Sequence, residues 1–191
     1  MRKGWRCTMA LLARLRRAER GVAAVEFALI LPIMLLVYIG SIEASTLISM
    51  DRKVQSVAGA VGDLVARTDQ RLTANQMQDY FRAASGIMTP YSFDPVRQVV
   101  IAVSVSDDGI ATVAWSRQFQ HGTYSAATPY SDGSRFPLPD EMIAISKGRM
   151  VIAAEASYSY TPLFGLIFNQ PVGLYRSSFF LPRFGGRIEL N

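Results

Sequence analysis

Glu26 is the only charged residue in a run of 21, residues 22–42, that reads VAAVEFALILPIMLLVYIGSI. A carboxylate inside a membrane span costs ~2.5–3.5 kcal/mol near the centre and needs either a cation or a route to the headgroups. Four residues in from the apolar edge, Glu26 can snorkel to the headgroups or pair with Arg20, one to two turns back. Other chemistry is scarce. His121 is the single histidine, and Cys7, the single cysteine, lies in the basic head ahead of the apolar run, so neither a zinc site nor a Cys/His dyad is expected. No activating motif surrounds any serine. The acids Asp107, Asp108, Asp132, Asp140 and Glu141 lack the spacing of a calcium loop. Cys7 has no partner for an intramolecular disulfide, and Gly4-Trp5-Arg6 before it lacks the apolar run of a lipid-anchor signal. The expectation is a protein that is not an enzyme, with no catalytic residue, metal or cofactor.

The element that must position Glu26 is a membrane helix. Twenty-one residues make about 31 Å of helix at ~1.5 Å each, enough to span a bilayer. A secretory signal would have a shorter apolar region and a small-x-small cleavage site, whereas the nearest candidate, around Ser41 to Ser45, lies beyond a full span. Pro32, inside the run, removes one backbone hydrogen bond and predicts a bend near residues 29–32. The net charge of +5 is concentrated ahead of this helix. Residues 1–21 hold Arg2, Lys3, Arg6, Arg14, Arg16, Arg17 and Arg20 against Glu19, leaving thirteen basic and fourteen acidic residues in the rest. A basic head beside a span is a topology signal, placing the N-terminus in the cytoplasm, and the neutral remainder makes nucleic acid a poor partner. Arg16-Arg17 is followed by Ala18-Glu19, which does not suit a twin-arginine signal.

The string RRAERGVAAVEFALILPIMLLVYIG resembles type IV prepilins, and within them the TadE/TadG-like proteins of the Tad (Flp) pilus machinery. The resemblance rests on Arg20 and Gly21, Ala24 to Leu29 with Glu26 and Phe27, Pro32, and a second acid, Glu43; it is specific over roughly residues 16–45. It looks like the short TadE-like form, since 191 residues leave no room for the long extra domain of TadG-like relatives. It implies that a prepilin peptidase cuts on the cytoplasmic face between Gly21 and Val22. Gly21, without a Cβ, leaves an extended scissile bond unobstructed. It also implies that Glu26 pairs with the new Val22 α-amino group of a neighbouring subunit during assembly. The partners implied are the peptidase, other pilins and pseudopilins, assembly-platform proteins and the bacterial inner membrane.

The expected organisation is a basic leader (1–21), a transmembrane helix (22–50) and a periplasmic domain (51–191). Val54, Val57, Ala58, Val61, Leu64 and Val65 recur at helical spacing, so the first helix continues outward. Thr73 with Gln76 predicts a capped second helix over residues 74–88, ended by Pro90. Residues 97–106 and 110–119 read as a hairpin turning at Asp107-Asp108-Gly109, residues 121–140 as a long loop, and 150–158 and 175–181 as two more strands. The ending is also similar to TadE-like chains, in Tyr158-Ser159-Tyr160-Thr161-Pro162 and Leu181-Pro182-Arg183, although the first arginine of that tail is missing. The fold class is therefore α+β: a long N-terminal membrane-spanning helix, a second helix and an antiparallel sheet of about four strands.

Overall fold

The computed structural model describes residues 19–162, 164–165 and 169–191. Helix α1, Glu19–Ala66, is one uninterrupted element of 48 residues, about 72 Å long at ~1.5 Å per residue. Its two halves face different surroundings. Residues 22–38 are exposed all round, whereas Met50, Val54, Val57, Ala58, Val61 and Val65 are buried to 1% or less. The apolar stripe expected outside the membrane is therefore the stripe that meets the core, with Leu64 at its half-buried margin.

Strand β1, Arg71–Leu72, is followed by α2, Ala74–Ser85, and a 3-10 turn, Gly86–Met88. Helix α2 opens on the reciprocal cap its sequence calls for: Gln76 N donates to Thr73 Oγ1 at 3.2 Å and Thr73 N to Gln76 Oε1 at 3.0 Å. Strands β2 (Arg97–Val105), β3 (Ala111–Gln120), β4 (Thr123–Ser125), β5 (Met150–Tyr160) and β6 (Val172–Phe180) form an antiparallel sheet in the order β4-β3-β2-β5-β6. The β2–β3 hairpin turns where expected, with Gly109 at φ 84, a conformation that glycine adopts without strain. Helix α3, Asp140–Ser146, precedes β5. A last strand, β7 (Glu189–Leu190), pairs parallel with β1. The fold class stands as expected, with five strands in the main sheet and the small β1–β7 pair added.

Alternation along the strands gives the sheet two apolar faces. Val100, Ala102, Ile152, Ala154 and Ala156 pack against α1 and α2, where Phe81 stacks on Phe119 with ring centroids 5.7 Å apart. Val99, Ile101, Val103, Val151 and Ala153 face the other way. They are covered by the β4–β5 connection, through Phe136 and Leu138. Residues 121–140, expected as a bare loop, thus contain β4 and two buried residues that act as a lid on the outer face.

Helix α1 approaches the sheet closely at Gly62. A Cβ built there would lie 2.6 Å from the Phe180 ring and 2.9 Å from the Ala154 Cβ, whereas at Gly59, one turn back, nothing lies within 4 Å. Gly62→Ala is expected to destabilise the full chain by about 1–3 kcal/mol through overpacking. Gly59→Ala is expected to be neutral or stabilising, by up to about 1 kcal/mol of helix propensity. Denaturation midpoints of the two variants in detergent check this, and equal midpoints would contradict the close contact.

Candidate functional site: an exposed helix joined to a packed head

Helix α1 contains Gly21, so the Gly21–Val22 peptide is helical. Val22, Glu26 and Phe27 are all exposed. Val22 and Glu26 are four residues apart and so share one face of the helix. Among the described residues Glu26 makes no ion pair or hydrogen bond. Pro32 lies inside α1, which continues on both sides of it.

The exposed half of α1 passes the length and composition test for a membrane span, with mean hydropathy 2.5 in its most apolar window. Ile39 is half-buried and Gly40 is the first buried residue. Residues 22–39 give about 27 Å of helix, close to the ~30 Å hydrocarbon core of a bilayer.

Glu43 marks the joint. It is 1% exposed, and one carboxylate oxygen accepts the Phe164 backbone N–H at 3.1 Å, joining α1 to the β5–β6 connection. Tyr160 is close enough that its hydroxyl is held above the ordinary tyrosine value, first by burial and then by the Glu43 charge. A hydrogen bond to a charged group contributes ~1.5–3 kcal/mol. Glu43→Ala should therefore destabilise the head by about that amount, and Glu43→Gln, which keeps an acceptor oxygen, should recover part of it. Thermal melts of the two variants decide, and identical melts would remove the carboxylate from the joint.

Further out, exposed ion pairs fix the register of α1 on β6 and the segment after it. Arg176 grips Asp51 with two hydrogen bonds, Nε to Oδ1 at 2.9 Å and a terminal nitrogen to Oδ2 at 2.5 Å. Asp63 receives Arg183 at 2.5 Å and Arg67 at 2.7 Å. The Arg183 hydrogen bond, opposed by slight desolvation and helped by Arg67, holds the Asp63 carboxyl below its usual range. Exposed pairs of this kind contribute little stability each, so their effect is geometric. Neither Asp51 nor Asp63 belongs to a motif that singles it out in the sequence. Their partners lie 125 and 120 residues away, a separation that leaves no local signal.

An exposed apolar helix that runs without a break into an α+β head gives the described residues one candidate membrane anchor. Part of this helix is similar to a known family: a family model described as TadE-like protein matches residues 21–62. That stretch begins at Gly21, contains Glu26, Phe27, Pro32 and Glu43, and runs along α1 to the close contact at Gly62. The Tyr158–Pro162 and Pro182-Arg183 stretches lie outside it. No curated protein and no solved structure matches the chain.

Proposed function

We propose that this protein is a TadE-like minor pseudopilin that takes part in assembly of a Tad/Flp type IV pilus, and that a prepilin peptidase cuts it between Gly21 and Val22. The observation that carries the reading is Glu26, an exposed carboxylate one turn from Val22 at the head of an exposed apolar helix. Cleavage would create an ammonium group at Val22. For that amine to reach the Glu26 of a neighbour at equal depth, the two subunits must be offset by about 6 Å along the helix axis, four residues at ~1.5 Å. Neutralising both charges inside the membrane removes the cost each bears alone. The positive-inside rule places the leader in the cytoplasm and the α+β domain in the periplasm, anchored in the bacterial inner membrane. Its partners are then the peptidase, other pilins and pseudopilins, and the assembly platform. Its role is structural rather than enzymatic.

The mature N-terminus tests this. Mass spectrometry of the protein from cells with and without the prepilin peptidase should find Val22 as first residue only when the enzyme is present. An intact leader in both would sink processing. One observation favours a second reading, an uncleaved inner-membrane protein whose periplasmic domain binds a partner: the Gly21–Val22 peptide lies inside a helix and must unwind before a peptidase can bind it extended. A third reading, a minor pseudopilin of type II secretion, shares the same processing.

A further inference from the structure

On the sheet face turned away from α1, a cavity of about 210 Å³ opens between β2, β5, β6 and the β4–β5 connection. Arg97, Tyr130, Glu155, Ser157 and Tyr175 line it, over Val99. Glu155 is only 8% exposed, an unusual burial for a carboxylate. The Tyr130 hydroxyl donates to one of its oxygens at 2.7 Å. Burial and this carboxylate raise the Tyr130 pKa, so the phenol stays a neutral donor.

The lining keeps unspent hydrogen-bonding capacity of both kinds. Arg97 uses its Nε to reach Gln118 Oε1 at 3.2 Å, and its two terminal nitrogens bond no described residue. The Ser157 hydroxyl makes no hydrogen bond to a described residue, and no ion pair joins Arg97 to Glu155. One cation and one anion leave the wall neutral overall, which disfavours a charged ligand of either sign. Tyr175, 56% exposed, offers a ring at the mouth. Donors, acceptors and an aromatic face around a small half-open cavity suit a neutral ligand with many hydroxyls and one apolar ring face.

We propose that this cavity is a binding site for one ring of a neutral sugar, with Glu155 and Arg97 engaging its hydroxyls and Tyr175 stacking on its apolar face. Register supports one composite site: Ser157 pairs with Arg97 on one side and with Tyr175 on the other, and Glu155 pairs with Val99. The ligand is therefore read by three adjacent strands of a rigid sheet, with Tyr130 closing over it from the connection. The proposal does not depend on leader processing or on filament entry.

The test uses the full chain in phosphatidylcholine nanodiscs, with empty nanodiscs as blank. Saturation-transfer NMR is recorded with chitotriose, with cellotriose and, as the charged competitor, with trilysine. Binding of either sugar in the millimolar range or tighter, weakened about tenfold by Tyr175→Ala and by Glu155→Gln, supports the site, since about 1.4 kcal/mol of lost contact is a factor of ten. The Tyr175 hydroxyl also engages Glu155, so Tyr175→Phe, which keeps the ring, is the fold control and should bind the sugar within a few-fold of the parent; a tenfold loss in Tyr175→Phe would overturn the stacking role. Overturning results are no binding of either sugar, sugar binding indifferent to both substitutions, or preferential binding of trilysine.

Discussion

Glu26→Ala is expected to leave the protein inserted in the membrane and to abolish its contribution to piliation. Removing the only charge from residues 22–42 makes insertion easier by up to ~2.5–3.5 kcal/mol, so membrane fractionation should show the variant at parental levels or above. What disappears is the acceptor for the Val22 ammonium of a neighbour, which is then left uncompensated at membrane depth. Counting pili by electron microscopy in a strain carrying only the variant should give an essentially bald cell. Glu26→Asp, shorter by one methylene, should be partly active, and Glu26→Gln should resemble alanine because the interaction needs charge. Normal piliation with Glu26→Ala would remove this carboxylate from the mechanism.

The second large effect is expected at Gly21. A bulky residue there, as in Gly21→Phe, puts a side chain where an extended scissile bond must enter the peptidase. It should convert complete processing into none, so the leader stays attached. Blotting should show a single band heavier than the mature form by residues 1–21, and the strain should lose pili as with Glu26→Ala. The two variants separate the steps: Glu26→Ala with a Val22 terminus fails after cleavage, and Gly21→Phe fails at it. If Gly21→Phe changes neither the band nor the pili, the uncleaved reading takes over.

How much was legible in the sequence depended on how far apart the determinants lay. The apolar helix, the helical stripe from Val54 to Val65 and the Thr73–Gln76 cap are local patterns, and the structure has a helix, a buried stripe and a cap there. The β2–β3 turn is local too, carried by Gly109. The strand β4 is three residues long, too short for an alternation pattern to register. The pair β1–β7 joins two-residue strands from opposite ends of the head, and neither has a periodicity of its own. Phe136 and Leu138 stood in a stretch rich in turn formers, and only the outer sheet face explains why they are buried. For the candidate site, Glu26 was conspicuous because a charge among apolar residues contradicts its surroundings. Glu43 drew notice only as the family's second acid, since its partner comes from residue 164 and its burial from the packing of the head. The cavity at Glu155 was not legible at all, because Arg97, Glu155 and Tyr175 converge only through sheet register.

Helix α1 enters the head with no linker, and this makes the molecule behave like a tool fixed on a threaded shaft. Each residue of an α-helix advances about 1.5 Å and turns about 100°. The compass bearing of the sheet about the helix axis is therefore set by the count of residues between Glu26 and Glu43. Inserting one residue into that interval would rotate the whole head by roughly 100° relative to the charged face of the anchor, with every internal contact unchanged. Deleting or adding seven, close to two full turns, would nearly restore the bearing while shifting the height by about 10 Å. In an assembly of such subunits the spacer length works as an angular index, independent of the composition of the apolar residues that fill it.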